Sequence, residues 1–176
     1  MAKVAEGDEA AFRRLAGRHA GRTFALSRRM LGNDADAEEV VQEAMLKVWV
    51  NAPHWRPDAA FKTWLYRVTV NHCLNRRRQR PFAALDEAGD PPDPAPTAAD
   101  SMERREVDGI VAQAIDGLPD RQRAAIVLTY FEALSNAETA SVLETTISSV
   151  EALLVRAKRT LRAELGAIPD VKESRS

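Results

Sequence analysis

Side chains suited to nucleic acid recur on one face of a segment in the first half of the chain. This segment, residues 61 to 80, has the sequence FKTWLYRVTVNHCLNRRRQR. Guanidinium groups bind phosphates and carboxamides hydrogen-bond to base edges, while the nearby rings of Phe61 and Trp64 suit stacking on unpaired bases. The alternative is a core helix with a solvated basic end, and the segment alone leaves both interpretations open. At helical spacing, the residues that share the polar face are Arg67, Asn71, Asn75 and Arg78.

The same segment is predicted to be an amphipathic helix. Its apolar residues also recur at helical spacing, on a different face from the polar ones. The helix should end at Arg80, because the next residue, Pro81, lacks a backbone donor and clashes with the preceding turn. The apolar stripe comprises Phe61, Trp64, Leu65 and Val68.

Composition restricts the class of protein. The chain has 176 residues and one cysteine, Cys73, which excludes an intramolecular disulfide. It contains neither an apolar run long enough to cross a bilayer nor a signal-peptide pattern. We therefore expect a cytoplasmic protein of one or two small domains that does not insert into membranes.

Charge is distributed unevenly along the chain. The formal net charge is only −1. Residues 1–80 carry 15 Lys/Arg against 9 Asp/Glu, residues 81–117 carry 2 against 9, and residues 118–176 carry 8 of each. Phosphates respond to local patches, so the near-neutral total does not argue against nucleic acid.

The stretch 81–100 is predicted to be a flexible, acidic, Pro-rich linker. It holds five of the nine prolines and five acidic residues. Such a segment buries too little apolar surface to offset its chain entropy. It therefore separates a domain at 1–80 from one at 101–176, whose tail should fray from about residue 166. The linker is either a passive tether or an acidic strand that occupies a cationic channel.

Apolar periodicity predicts helices throughout both domains. In the first, we expect a helix from Gly7 to Leu31 with a break near Gly21, and a helix from Asp34 to Val50. In the second, the Ser135–Glu138 spacing is that of a capping box that starts a short helix. The buried face of the 34–50 helix is expected to comprise Val41, Ala44, Met45 and Val48.

The end of the second domain resembles a helix-turn-helix. The short helix is followed by a three-residue connection and by a last helix with a basic outer face. A second capping box, from Ser148 to Glu151, is predicted at the start of the last helix or one residue inside it. The inward residues of the last helix are expected to be Val150, Leu153, Leu154, Ala157 and Leu161.

Three motifs resemble bacterial RNA polymerase sigma factors of the extracytoplasmic-function (ECF) group of the sigma-70 family. DAEEVVQEAMLKVW (36–49) is similar to the region 2 helix that docks on the polymerase clamp, and FKTWLYRVTVN (61–71) to the −10 segment. LPDRQRAAIVLTYFEALSNAETASVL (118–143) with SSVEALLVRAKRTLR (148–162) is similar to region 4. The resemblance implies an all-α fold, with a region 2-like bundle and a region 4-like helix-turn-helix joined by the linker.

The resemblance also implies partners and roles. The partners would be core RNA polymerase, single-stranded −10 DNA, duplex −35 DNA and an anti-sigma protein that holds the factor inactive. The polymerase clamp would be contacted by Glu39, Gln42 and Glu43. The −10 strand would be contacted by Phe61, Trp64, Arg67, Asn71, Asn75 and Arg78, with the Asn51–Ala60 loop. The −35 element would be contacted by Ser148, Glu151, Ala152, Val155, Arg156 and Arg159, with Lys158 as an alternative phosphate contact.

Two positions depart from the family pattern. Members often carry Gly where this chain has Glu144, and a left-handed backbone there would cost a non-Gly residue about 1–2 kcal/mol. Members often carry Arg or Lys near Glu151, whereas Glu151 is an acceptor that suits the amino group of cytosine.

Two other function classes compete with a sigma factor. A two-domain regulator could bind operator DNA without polymerase, but it would not need the 36–49 motif. An enzyme is the third class, but the adjacent His72 and Cys73 point in different directions on a helix and make a poor ligand pair. We therefore expect no catalytic residues, no metal, no cofactor and no small-molecule substrate.

Overall fold

The computed structural model describes residues 1–56, 60–79 and 99–166, with side chains from residue 108 onward in the last range. This part of the chain is α-helical and contains no strand. Residues 81–98 of the predicted 81–100 linker and the tail after 166 lie outside the described residues, and the last two residues of that linker belong to a helix that begins at Ala99. The helices of the first half are α1 (Ala2–Ala5), α2 (Glu9–Leu31), α3 (Asp34–Asn51), a 3₁₀ turn (Ala52–His54) and α4 (Phe61–Gln79). The helices of the second half are α5 (Ala99–Asp116), α6 (Asp120–Ile126) with a π-helical extension (Val127–Phe131), α7 (Asn136–Val142) and α8 (Ile147–Gly166).

Polar residues define where α2 and α3 begin. The Asp8 carboxylate accepts the Ala11 N–H at 2.9 Å, and Asn33 accepts the Asp36 N–H at 2.8 Å, so each caps a helix N-terminus. Gly32 ends α2 in the left-handed conformation, with φ of 82°. The predicted break near Gly21 is wrong, because α2 runs unbroken from Glu9 to Leu31. One helix-interior glycine costs only about 1 kcal/mol, which packing of α2 offsets.

The first half has its own apolar cluster, as the sequence predicts. Ala44 and Val48 of α3 and Leu65 of α4 are buried in it. The predicted faces are confirmed in part, because Ala44, Val48 and Leu65 are buried and the other predicted members are half-buried. The half-buried members are Val41, Met45, Phe61, Trp64 and Val68, and all of them except Val41 pack against this cluster.

Helix α4 buries a second stripe that the sequence analysis missed. Tyr66, Val70 and Cys73 are all buried, on a face distinct from the Leu65 side. They belong to a cluster that includes Leu26 and Met30 of α2 and residues of α6–α8. Helix α4 therefore has an apolar contact on two sides, and the two halves share one core. We call this packing of α5–α8 against α2 and α4 the closed arrangement.

The helix-turn-helix forms as predicted, with one correction. The Ser135–Glu138 capping box is present, because Ser135 Oγ accepts the Glu138 N–H and Glu138 accepts the Ser135 N–H at 2.8 Å. The predicted second box is wrong: α8 begins at Ile147, and Thr146 Oγ1 accepts the Ser149 N–H at 3.1 Å. Thr146 precedes the helix and can take the extended cap conformation, which a residue inside the first turn cannot.

Among the described residues, no helix is both long and apolar enough to cross a membrane.

Candidate nucleic-acid interface

The four polar residues predicted on α4 do share one side of the helix, and this side meets the second half of the chain. We call the residues Arg67, Asn71, Asn75 and Arg78 the α4 polar face. Arg67 Nη2 donates to the Ser141 carbonyl at 3.0 Å, and Nη1 lies 3.5 Å from the Glu144 carboxylate. The guanidinium of Arg67, predicted to contact the −10 strand, is thus paired with the end of α7 and with the turn that follows it.

The rest of the α4 polar face borders a groove of about 230 Å³. Its wall on α4 is the polar face itself, and its opposite wall includes Arg121 and Glu144. The side chains of Asn71, Asn75 and Arg78 are exposed. Cations, carboxamides and one carboxylate therefore converge where the two halves meet. The lining residues are Asn71, Leu74, Asn75, Arg78, Arg121, Leu143 and Glu144.

The aromatic residues predicted to join the −10 contacts lie elsewhere. Phe61 and Trp64 pack edge-on against Trp55, with ring centroids 5.7 and 5.2 Å away. Trp55 belongs to the Asn51–Ala60 loop, of which residues 57–59 lie outside the described part. The structure thus brings Phe61 and Trp64 to that loop and not to the groove.

A buried carboxylate joins the two halves beside the α4 polar face. The Tyr66 hydroxyl donates to Glu132 Oε2 at 2.6 Å, and Arg22 Nε lies 3.6 Å from the same oxygen. The Glu132 side chain is only 3% exposed. Burial, and then the hydrogen bond to Glu132, raise the pKa of Tyr66 well above its usual value. The hydroxyl is therefore a neutral donor at physiological pH.

A buried arginine makes the second polar connection between the halves. Arg123 of α6 is fully buried, and its Nη1 donates to the Met30 carbonyl at 2.9 Å and to Asp116 at 2.6 Å. Burial lowers the pKa of Arg123 to about 10, which leaves it charged near neutrality. Arg77 of α4 also pairs with Asp116 and with Asp120. The Arg123 contact occupies a carbonyl at the end of α2 that would otherwise lack a helical donor.

The residues predicted to meet the polymerase clamp form an exposed strip on α3. Glu39, Gln42 and Glu43 are exposed. Glu39 pairs with Arg76 of α4, and this hydrogen bond raises the pKa of Arg76. The strip continues into Leu46 and Val50, each 61% exposed, which the sequence analysis did not select. Their signal was available, since both interrupt an otherwise polar surface.

The outward side of α8 carries the residues predicted to face −35 DNA, and all are exposed. We call this set the α8 outer face. Lys158 is directed toward Tyr130, with Nζ 5.0 Å from the ring centroid, so it is engaged in a cation–π contact. The α8 outer face comprises Ser148, Glu151, Ala152, Val155, Arg156 and Arg159.

His72 and Cys73, the adjacent residues weighed as a ligand pair, have different surroundings in the structure. Within residues 1–56, 60–79 and 108–166, no three His, Cys, Asp or Glu side chains are grouped to hold a metal ion. The Cys73 thiol is fully buried, and burial raises its pKa to about 12, so it is a poor nucleophile. The ring of the adjacent His72 contacts a different group, with its Nδ1 2.7 Å from Glu43 Oε2.

Comparison with known proteins assigns the chain to a family. The model for Sigma-70 region 2 matches residues 15–81, and that for Sigma-70, region 4 matches residues 108–161. The ECF RNA polymerase sigma factor SigW of Bacillus subtilis is 30% identical over 93% of both chains. SigM of Mycobacterium tuberculosis is 33% identical over 94% of this chain and 83% of its own. The chain belongs to the ECF sigma factors. It is a transcription initiation factor.

Two solved structures share this fold. CnrH, in complex with the cytosolic domain of CnrY, superposes with a TM-score of 0.70 at 29% identity over 94% of both chains. RpoE from Bartonella quintana, in complex with the anti-sigma factor NepR, superposes with a TM-score of 0.69. That second pair is only 20% identical over 89% of this chain and 98% of the other, so it supports the fold alone.

The family matches assign the two polar faces to different sigma regions. In this sigma factor the α4 polar face lies in the region 2 match and the α8 outer face in the region 4 match. The groove and the buried Tyr66–Glu132 contact lie between those regions. Sequence reasoning missed these interdomain contacts because each joins residues far apart in the chain. The one local signal was Arg123, a charged residue directly before the apolar run AAIVL.

Proposed function

We propose that this sigma factor directs bacterial core RNA polymerase to promoters by binding two DNA elements. The α4 polar face would bind the unpaired −10 strand, and the α8 outer face would read the duplex −35 element. The observation that carries the proposal is that both faces occur in one chain, each on a helix of the matching sigma region. Carboxamides and guanidinium groups are suited to an extruded base and its phosphates.

The first domain, residues 1–80, would also dock on polymerase. Glu39, Gln42 and Glu43 would contact the clamp, with Leu46 and Val50 as an apolar addition to the same strip. Exposed carboxylates beside exposed aliphatic side chains are suited to a partner surface with cations and a hydrophobic patch. The segment 81–100 would link this domain to residues 101–176 and pass through the polymerase.

The protein would act in the cytoplasm, without catalytic chemistry or a cofactor of its own. Its relatives are named as sigma factors, and a factor of this kind supplies specificity while the polymerase supplies chemistry. An anti-sigma protein would hold it inactive; RpoE, which has the same fold, is bound to one, the anti-sigma factor NepR.

The closed arrangement would have to open before the −10 strand binds. Arg67 is already paired with Ser141 and Glu144, and the other residues of the α4 polar face border a narrow groove. An extruded base with its phosphates needs that space. We therefore propose that separation of the two regions, on polymerase, accompanies capture of the −10 strand.

Run-off transcription tests this function directly. Purified full-length chain and bacterial core polymerase would be offered fragments of the source genome, with core alone as the control. We expect specific starts that depend on the chain. A stable complex with core but no starts would contradict promoter selection on these fragments, and the absence of both would favour an operator-binding regulator.

Replacing Asn71 with Ala tests the −10 assignment. We expect promoter opening to fall roughly tenfold, because a base contact is worth about 1–3 kcal/mol, while affinity for core polymerase is unchanged. Gln113→Ala removes an exposed carboxamide from α5 and is the matched control. Equal losses of opening and of core binding, measured by permanganate footprinting and by fluorescence anisotropy, would contradict the assignment.

A further inference from the structure

Two side chains in the middle of the α8 outer face, one acidic and one aliphatic, are not of the kind that binds phosphates. Glu151 and Val155 lie four residues apart and so share one side of the helix. Both are exposed. Val155, at 67%, is the most exposed large hydrophobic residue in the described part of the chain.

Neither side chain has a structural partner that accounts for it. Glu151 makes no hydrogen bond or ion pair with the described residues, and Thr146, not Glu151, takes part in the α8 cap. Helix α8 packs through Val150, Leu154 and Ala157, on the side away from Val155.

The setting of this pair differs from that of an isolated surface residue. A single exposed valine on an ordinary surface needs no explanation. Here it is next to Arg156 and four residues before Arg159, a cation suited to a phosphate at the border of a groove. With Arg159 on a phosphate, the carboxylate and the valine would face the base edges.

We infer that Glu151 and Val155 specify two bases of the −35 element, a cytosine and a thymine. The inference rests on the proposed function of the α8 outer face. Glu151 would accept a hydrogen bond from the cytosine 4-amino group, and Val155 would pack against the thymine 5-methyl group. Guanine offers only acceptors in the major groove, and adenine places an acceptor beside its amino group, so both oppose a carboxylate.

Helix geometry limits the spacing of the two bases. Four residues correspond to a rise of about 6 Å along α8. Successive base pairs are about 3.4 Å apart. The cytosine and the thymine therefore lie one or two base-pair steps apart when α8 follows the groove.

Selection from a randomised −35 region tests the pair. Full-length chain with core polymerase would be bound to promoters randomised only in that region, and bound sequences would be counted. The wild type should enrich cytosine and thymine at positions one or two steps apart. Glu151→Gln should change the cytosine preference to adenine, because a carboxamide pairs bidentately with adenine. Glu164→Ala, an exposed glutamate farther along α8, is the matched control and should leave both preferences unchanged.

Replacing the selected thymine with uracil isolates the methyl group. The wild type should bind the uracil promoter about fourfold more weakly, as expected for one methyl group no longer buried. Val155→Ala should bind the two promoters equally. Circular dichroism would establish that the variants fold, which is expected for changes at exposed positions.

The outcomes distinguish this inference from the proposed function. A clear −35 preference that neither Glu151→Gln nor Val155→Ala alters would overturn the inference and leave the function intact. The same holds for equal wild-type binding to thymine and uracil. Core binding without any −35 preference would contradict both the inference and the −35 role of α8.

Discussion

The α4 polar face and the α8 outer face both carry groups suited to DNA, but only the α4 polar face borders the other half of the chain. On α4, Arg67 is paired with the α7–α8 turn, and its neighbours border the groove between the two regions. On α8, every residue of the outer face is open to solvent. The closed arrangement therefore engages Arg67 and restricts the space beside the face proposed for unpaired DNA, and it leaves the face proposed for the duplex open. Control by domain movement would act on −10 binding and not on −35 binding.

The largest expected effect comes from removing the buried guanidinium of Arg123. Arg123→Met keeps much of the side-chain volume but removes the shorter hydrogen bonds to the Met30 carbonyl and Asp116, which keep the longer contacts to Arg77 at 3.4 and 3.5 Å. The free energy of unfolding should fall by about 2–3 kcal/mol, measured by urea denaturation. Arg121→Met, at an exposed position that bonds only the Leu143 carbonyl within region 4, should cost less than half as much. Similar costs would mean that Arg123 does not hold the closed arrangement.

Arg156→Ala tests whether the α8 outer face binds DNA independently of the α4 polar face. If Arg156 contacts a base, affinity for the duplex −35 element should fall by about 2 kcal/mol. Binding of a single-stranded −10 oligonucleotide should not change, because α4 is untouched. Fluorescence anisotropy measures the affinity for each of the two DNAs. Arg162→Ala, on the same helix, is the control. Undiminished duplex binding would mean that α8 docks through another side.

Tyr66→Phe tests whether the closed arrangement limits DNA binding at the α4 polar face. The change preserves the ring and removes the hydroxyl that donates to buried Glu132, which should weaken the closed arrangement by about 1–2 kcal/mol. Affinity for the −10 oligonucleotide should rise accordingly. Tyr130→Phe, at the exposed tyrosine, should have no effect. A Tyr66→Phe variant with wild-type −10 affinity would show that the Tyr66–Glu132 contact does not limit access.

The raised pKa of Tyr66 also gives this contact a pH dependence. In an open or unfolded chain the hydroxyl loses its proton near pH 10, whereas in the closed arrangement it keeps it to higher pH. Its contribution is therefore complete below pH 10 and is lost as pH rises above that value. Affinity for −10 DNA should consequently show no step from this tyrosine between pH 6 and 9.

The smallest expected effect comes from Glu144→Gly. Glu144 has φ of 51°, so glycine should relieve about 1 kcal/mol of backbone strain and raise the thermal midpoint. The same change removes the exposed ion pair with Arg67, worth less than about 1 kcal/mol. Ala133→Gly, at φ of 54°, should relieve similar strain without touching that pair. Any gain in −10 affinity should occur only for Glu144→Gly.

The sequence predicts this fold well wherever a feature depends on neighbours along one helix. The Ser135–Glu138 capping box and the buried and exposed sides of α8 follow from spacing alone. The sequence also indicates that Glu144 would be strained if its backbone were left-handed, and the structure has it in that conformation. Errors arose where two local solutions have similar energies, as with helix continuity at Gly21 and the choice between Thr146 and Ser148 as the cap.

The arrangement of the two regions could not be predicted in the same way. Tyr66 and Glu132 are 66 residues apart, and neither residue type indicates the other as a partner. The stripe of Tyr66, Val70 and Cys73 is apolar, but a helix in a single domain usually has one buried face. Only the fold reveals that α4 packs on two sides, and hence that its polar face is partly covered.

Because the two halves share an apolar cluster, binding of −10 DNA depends on the fraction of molecules that are open. Any ligand of the α4 polar face that requires an open molecule competes with this core by mass action. Its apparent dissociation constant is the intrinsic one divided by the open fraction. If about one molecule in a hundred is open, the free factor binds unpaired DNA about a hundredfold more weakly than a factor already separated on polymerase. Stray single strands in the cell would then compete poorly for the free factor.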